Sequence, residues 1–178
     1  MAVTYNKIPE LINDMRVYRE GNDDCIGVAE IQLPKFTSMT QTIDGVGVGG
    51  EVDSPIVGHY SSTECTINWR VPTKSGMIMS GGNAVAIEIR GAIQLWDSSL
   101  NKYVIEPARF IIRGKAKEYD PGKLKPANTS DSSNTIEVTY YKATINNETV
   151  REVDKYAGKD IVDGVDLMAD VREALGYQ

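Results

Sequence analysis

The sequence is poor in the residues that build metal sites and disulfide frameworks. Among its 178 residues are one histidine, His59, and two cysteines, Cys25 and Cys65. Zinc sites and redox motifs need closely spaced ligands, so we expect two buried thiols on strands and a histidine in a loop or surface position. No apolar run approaches the roughly 20 residues that span a bilayer, and residues 1–10 lack the basic and apolar regions of a secretory signal. These absences predict a protein made in the cytosol, without a metal centre or a membrane span.

Sequence motifs of the common enzyme classes are also missing. The chain has no Gly-Lys-Ser/Thr phosphate loop and no Gly-x-Ser-x-Gly elbow, and any Ser-His-Asp arrangement would have to recruit His59 from a glycine-rich segment. Close acidic pairs such as Glu51 with Asp53 are expected by chance among 25 acidic residues. The sequence therefore predicts a protein that is not an enzyme and uses no cofactor.

Charge is distributed unevenly along the chain. The formal net charge of -6 is unlike that of proteins that grip nucleic acid through clustered Lys and Arg. Residues 1–60 carry nine acidic and four basic residues, residues 61–126 six and ten, and residues 127–178 ten and five. This pattern fits solvated strands and loops, and it also fits a subunit whose opposite faces attract each other, because complementary charge fixes orientation between copies.

Alternation of apolar and polar residues is the strongest secondary-structure signal. Val85, Ile87 and Ile89 alternate with Glu88 and Arg90, which is typical of a strand with one buried face. In chain order the expected elements are a helical turn at 8–14, strands at 25–33, 63–71 and 85–95, a turn at 97–102, a strand at 103–119, an exposed loop at 121–134, and a hairpin of 135–145 and 149–156. The pattern predicts a mainly β fold, an antiparallel sandwich or barrel with one or two short helices.

The end of the chain changes to helical spacing. Asp163 is placed to cap a helix, Asp166 adds favourable charge in the first turn, and Gly176 suits the stop. The apolar stripe of this helix consists of Val165, Met168, Val171 and Leu175. We expect a C-terminal helix over 163–176, packed either on its own sheet or on a neighbouring subunit.

Residues 36–60 form a long glycine-rich stretch with little regular apolar spacing. It contains Gly45-x-Gly47-x-x-Gly50, the glycine spacing of a dinucleotide-binding loop. Such a loop must follow a buried strand and open a helix, whereas these glycines follow polar residues and precede Pro55. We interpret the glycines as positions that allow positive φ angles and close approach of another backbone.

Three landmarks carry a resemblance to a known family. These are Leu33-Pro34-Lys35 before the glycine-rich stretch, Gly114 with Lys117-Glu118 before a charged loop, and Asp163-Gly164-Val165-Asp166 near the end. In their order and spacing, from about Val17 onward, the chain resembles the major tail tube protein of contractile-tailed bacteriophages. One departure lies at 72–83, where that family has an obvious helix and this chain is broken by glycine, which indicates a turn or one helical coil.

The resemblance implies a single tail tube domain over 1–178 whose copies close into hexameric rings. It further implies that these rings stack into the inner tube through which DNA is ejected. It also implies that the subunit assembles in the host bacterial cytoplasm and becomes part of the virion tail. The expected partners are other copies of the chain and the sheath, baseplate, tail-terminator and tape measure proteins. DNA is expected to pass through the channel without specific binding. Residues 36–60 would be a long assembly loop. The expected inter-ring residues are Phe36, Gly45, Gly47, Gly49, Gly50, Glu51 and Asp53. The expected further assembly contacts are Arg113, Lys115, Lys117, Lys123 and Lys125.

Two alternative functions stay open at this point. One is the tube protein of a phage-tail-like bacteriocin or a contractile secretion system. The other is a small β-barrel module that binds carbohydrate or single-stranded nucleic acid through exposed aromatic platforms. Trp69 alternates with expected core residues, which leaves Trp96 and several tyrosines for such a platform.

Overall fold

The fold is mainly antiparallel β, as the alternation predicts. A computed structural model describes residues 6–19, 23–47 and 49–176. In these residues the elements are β1 (Lys7–Arg19), β2 (Asp23–Asp24), β3 (Val28–Gln32), β4 (Ser38–Ile43), β5 (Val52–Tyr60), β6 (Glu64–Trp69), α1 (Lys74–Ile78), β7 (Ala84–Asp97), β8 (Lys102–Asp120), β9 (Ser132–Ile145), β10 (Glu148–Asp154), β11 (Lys159–Val162), β12 (Val165–Asp166) and α2 (Ala169–Ala174). None of the helices in this part of the chain is long and apolar enough to cross a membrane.

One sheet folds around the core and gives the subunit its sandwich-like form. Its strand order is β12-β11-β10-β9-β8-β7-β1-β2, and β6 pairs with both β3 and β9. Strand β8 accompanies β9 along its length, while the other side of β9 pairs first with β6 and then with β10. Thr139 in β9 and Lys117 in β8 are extra residues at register shifts between these two strands. Such bulges bend a sheet, so both strands pass from one layer to the other.

The core lies inside this bend. Alternate residues of β6, β7 and β9 are buried, among them Ile67, Ile87 and Ile136. Cys25 and Cys65 are buried thiols that are not joined in a disulfide. Cys65 lies on β6 as expected, whereas Cys25 lies between β2 and β3, so the expected strand position was wrong for Cys25. Burial raises the pKa of Cys65 to about 12. The two cysteines therefore act as small apolar side chains.

A buried amide attaches helix α1 to the core. The indole Nε1 of Trp69 donates to Oδ1 of Asn134 at 2.8 Å, and Nδ2 of Asn134 donates to the carbonyls of Gly76 at 3.0 Å and Met79 at 2.6 Å. Thr73 accepts a hydrogen bond from the Gly76 backbone N–H and so caps the helix. The single helical coil considered for 72–83 is thus confirmed.

Residues 8–14 are not helical, so that expectation was wrong. They lie in β1, whose pairing with β7 shifts register between Pro9 and Leu11 and again between Ile12 and Asp14. Each shift inserts an extra residue. Ile8 and Leu11 therefore share a face of a strand at a spacing of three, which imitates the period of a helix.

The C-terminal helix is shorter than the expected 163–176. Asp163, with φ of 49°, and Gly164, with φ of 78°, form the turn before β12, and α2 covers only Ala169–Ala174. The N-cap residue of α2 is Met168, without a side-chain capping hydrogen bond, so the capping expected of Asp163 was wrong. Oδ1 of Asp166 accepts from the Met168 backbone N–H at 3.0 Å in the turn before the helix. Gly176 has φ of 74° and ends the helix as predicted. Strand pairing between β11 and β12 overrides the local capping signal.

Glycine at position 114 is required by the bend. A Cβ at Gly114 would lie 2.0 Å from the carbonyl oxygen of Glu137 in the neighbouring strand. We expect Gly114→Ala to lower the free energy of unfolding by about 1–3 kcal/mol, the usual effect of overpacking. Gly91→Ala is the matched control, because a Cβ there would meet only the Ala108 side chain at 3.9 Å. Chemical denaturation measures both variants, and equal stability of the two would contradict this role of Gly114.

Candidate assembly surfaces

Most of the expected assembly loop is a β-hairpin. Among the residues that the structure describes, strands β4 and β5 pair only with each other, in a two-stranded sheet separate from the main one. The tip between them spans 44–51. Nearly every side chain of the hairpin is exposed, and a strand without a buried face has no apolar alternation. That is why the sequence indicated an irregular loop.

The base of the hairpin is attached to the body by a polar and aromatic cluster. The Tyr60 hydroxyl donates to Oδ2 of buried Asp160 at 2.5 Å, and Arg151 donates to the Tyr60 hydroxyl at 2.6 Å. Burial, followed by the hydrogen bond to Asp160, raises the pKa of Tyr60, and Arg151 opposes this rise. Phe36 packs edge-on against Tyr60, at 5.4 Å between ring centroids, and against Tyr141 at 5.2 Å. Phe36 therefore belongs to the cluster that anchors the base of the hairpin within the subunit, and it lies apart from the exposed tip.

A second contact holds the hairpin against the C-terminal segment. A Cβ at Gly58 would lie 2.2 Å from the sulfur of Met168, which is 8% exposed. Gly58 also has φ of 70°, a conformation that favours glycine. The hairpin is therefore fixed at its base beside β11, β12 and α2, and its tip projects from the body.

The tip glycines have room on every side within the subunit. A Cβ at Gly45, Gly47, Gly49 or Gly50 would find no atom within 4 Å, although φ is positive at three of them, Gly45, Gly47 and Gly50. Positive φ therefore explains why glycine occupies these three positions. Close approach of the tip to another copy of the chain stays a prediction.

The hairpin combines acidic and apolar side chains. Residues 38–60 contain Asp44, Glu51 and Asp53 and no Lys or Arg. All three carboxylates are in exposed residues, and Asp53 accepts a hydrogen bond from Thr42 at 2.7 Å. Its exposed large apolar residues are Met39, Ile43, Val46, Val52, Ile56 and Val57. Two-stranded hairpins are marginally stable in water when nothing covers them.

The five basic residues expected at assembly contacts are all exposed, but the structure separates them. Arg113 lies over the Tyr140 ring at 5.1 Å, and Lys115 donates to the Tyr156 hydroxyl at 3.1 Å. Lys117, the bulge residue of β8, pairs with Glu64.

Lys123 and Lys125 lie in the connection that follows β8. Contact of these five residues with another copy stays a prediction.

Sequence reasoning missed a row of arginines across the main sheet. Arg16 of β1 is opposite Arg90 of β7, and Arg90 is opposite Arg109 of β8. All three point away from the core, as Arg113 does. We call Arg16, Arg90, Arg109 and Arg113 the basic face. Only strand register reveals it, because these residues are far apart in sequence.

Glu88 holds the centre of the basic face together. It is 8% exposed and accepts hydrogen bonds from Arg109 at 2.9 and 2.7 Å and from Arg90 at 2.5 Å. The hydrogen bonds from Arg109 lower the pKa of Glu88, Arg90 adds to this, and burial opposes it. Like charges directly across strands are destabilising. The Glu88 carboxylate offsets the repulsion between Arg90 and Arg109, because it pairs with both.

A different region of the bent sheet is acidic on its outside. Glu64, Glu118 and Glu137 alternate with core residues and point away from the interior. Together with Glu30 and Asp120 they make up what we call the acidic face. Small polar residues share this surface, namely Thr66, Asn68, Ser133 and Thr135. Two lysines lie on it as well: Lys115 is opposite Glu137, and Lys117 pairs with Glu64 and Glu137, so the surface is acidic in net charge.

The Glu88 cluster predicts a defined pH dependence of stability. Its pKa is lowered on folding, so the stabilisation is complete above the unfolded-state pKa of about 4.3 and disappears as pH falls through the folded-state pKa. Glu88→Gln should lower the free energy of unfolding by about 1–3 kcal/mol at pH 7, with a smaller difference from wild type below about pH 4. Denaturant titration across pH measures this. Exposed Glu148→Gln is the control, and a Glu88→Gln difference that does not change with pH would contradict the account.

Comparison with known proteins identifies the family. The family model described as phage tail tube protein FII matches residues 9–176. The chain is 24% identical over 176 residues to the tail tube protein of Escherichia phage P2, covering 95% of this chain and 98% of that protein. It is 22% identical over 164 residues to the major tail tube protein of Serratia phage KSP20, covering 83% and 84% of the two chains. The chain belongs to the phage tail tube protein FII family.

Proposed function

We propose that this chain is a structural, non-enzymatic subunit that closes into hexameric rings, and that these rings stack into the inner tube of a contractile tail through which DNA is ejected. The observation that carries the proposal is a four-stranded region of the sheet, ordered β3-β6-β9-β8. Within the described part of the chain, this region ends in an unpaired strand edge on both sides.

The first unpaired edge belongs to β3. Its one partner among the described residues is β6. Because an open edge presents unpaired N–H and C=O groups, it is a template for pairing with another chain.

The second unpaired edge belongs to the end of β8. Pairing of β8 with β7 stops at Lys115, whereas pairing with β9 continues to Asp120. Residues 117–120 therefore have a strand partner on one side only in the described structure. Joining this edge to β3 of the next copy is a heterologous contact, and such contacts form a closed ring when the rotation between copies closes.

The acidic face covers the outside of the same four strands. If these strands line the channel, its wall has a net negative charge, because two lysines, Lys115 and Lys117, are outnumbered by five carboxylates: Glu30, Glu64, Glu118, Asp120 and Glu137. Such a wall repels phosphate, and DNA slides along it without specific binding.

The projecting hairpin supports stacking of the rings. It extends beyond its anchor and leaves apolar side chains uncovered, so contact with a subunit of the next ring would cover them. In this proposal the sheath surrounds the tube, the tape measure protein occupies its interior during assembly in the bacterial cytoplasm, and baseplate and tail-terminator proteins bind its two ends in the virion.

Hydrogen exchange tests the pairing of edges. Amides of β3 and of residues 117–120 should exchange at least about tenfold more slowly in assembled tubes than in free subunits, the factor for about 1.4 kcal/mol of local stabilisation. Amides of β7, which is paired on both sides, are the internal control. Purified protein that forms no rings or tubes by electron microscopy would refute the function, and tubes without added protection would refute this mode of closure.

Charge reversal tests the channel wall. Tubes of the double variant Glu30→Lys with Glu118→Lys should retain short duplex DNA at low salt, while wild-type tubes should not, because the added cations would attract phosphate inside the channel. Filter retention of labelled DNA measures this. Glu148→Lys with Asp170→Lys adds the same charge at exposed positions off the acidic face. Equal retention by the two double variants would contradict the assignment.

A further inference from the structure

The outside of the main sheet has an apolar region next to the basic face. Strand register places Ile8, Trp96 and Tyr103 in one cross-strand row, and Leu11 and Ile105 in the next. Ile8, Leu11, Tyr103 and Ile105 are each at least 50% exposed. We call these five residues the apolar end.

The apolar end and the basic face are on the same side of the sheet. In β7 and β8, which pair without a register shift, the residues of the two regions are an even number of positions apart, so their side chains point to the same side. In β1 the two bulges place Arg16 on the same side as Ile8 and Leu11. The outer side of β1, β7 and β8 is therefore one surface, apolar at one end and cationic at the other.

The hairpin has the complementary composition. It carries exposed apolar side chains along β4 and β5 and only carboxylates as charged groups, at Asp44, Glu51 and Asp53. An apolar surface with anionic groups matches an apolar surface with cationic groups, and complementary charge fixes the orientation of the contact.

These two surfaces do not cover each other within one subunit. The hairpin is anchored through Tyr60 and Gly58 to Asp160 of β11 and to Met168, while the apolar end is on β1, β7 and β8, toward the other end of the strand order. Ile43 and Val52 in the hairpin remain 46% and 54% exposed. An uncovered two-stranded hairpin gains little stability from itself, so both surfaces require a second molecule to be buried.

We infer that the hairpin of one copy docks on the outer side of β1, β7 and β8 of another copy. Its apolar residues cover the apolar end, and its carboxylates face Arg16 and the other residues of the basic face. This docking rests on the proposed tube assembly and identifies which surface of the neighbouring subunit receives the hairpin.

Photo-crosslinking locates the docking site directly. A benzophenone amino acid replaces Val46 at the exposed hairpin tip, and tubes are assembled from an equal mixture of unlabelled and nitrogen-15-labelled protein. Mass spectrometry should find crosslinks between labelled and unlabelled chains that fall on β1, β7 or β8. The same amino acid at exposed Leu124, in the connection after β8, should give a different set of sites.

Charge reversal tests the same contact by an independent measurement. Arg16 is largely exposed, and its ion pair with Asp24 is long at 3.5 Å. Arg16→Glu should raise the subunit concentration needed for tube formation by about tenfold, and adding Glu51→Lys should restore most of that loss. Exposed Lys74→Glu, in α1 and outside every assembly surface named above, is the control for the same change in net charge, and circular dichroism verifies that each variant is folded.

The outcomes separate this docking from the tube function. Tubes whose hairpin crosslinks fall on the acidic face, within one chain or on a different protein would overturn the docking and leave the tube function intact. Loss of assembly in Arg16→Glu that matches Lys74→Glu and is not restored by Glu51→Lys would also overturn it. Wild-type protein that forms no tubes at all would refute the function and the docking together.

Discussion

The subunit depends on the bend that β8 and β9 make together. At this bend the glycine hydrogen of Gly114 faces the carbonyl of Glu137, where a larger side chain would collide with backbone. The extra residues Thr139 and Lys117 let the two strands turn without separating. As a result β9 can pair with β10 in one layer and with β6 in the other, and the apolar sides of both layers close on a single core.

The same bend divides the outside of the sheet into two regions of opposite charge. The layer that contains β3 and β6 has the acidic face, and the layer that contains β1 and β7 has the basic face. A uniformly charged outside would repel copies of itself, whereas separated charge gives each copy distinct surfaces for distinct contacts. In the proposed tube, the acidic region lies toward the DNA and the basic region receives an acidic hairpin.

Sequence predicted the parts of the fold in which one strand face is buried. Ile67 and Ile87 lie on such faces, and Asn146 and Asn147 form the expected turn with φ of 49° and 66°. The hairpin was not predicted, because its exposed strands have no apolar alternation, and the bulges of β1 imitated helical spacing. The basic face and the acidic face depend on strand register between distant segments, and local sequence carries no direct signal for it.

An electron cryomicroscopy reconstruction of particles assembled from the purified chain would show both how the strand edges pair and which surface lines the channel. We expect a hollow tube of stacked six-subunit rings in which β3 of each subunit pairs with residues 117–120 of the next and the acidic face lines the channel. Particles in which these two edges stay unpaired, or in which the basic face lines the channel, would contradict this expectation.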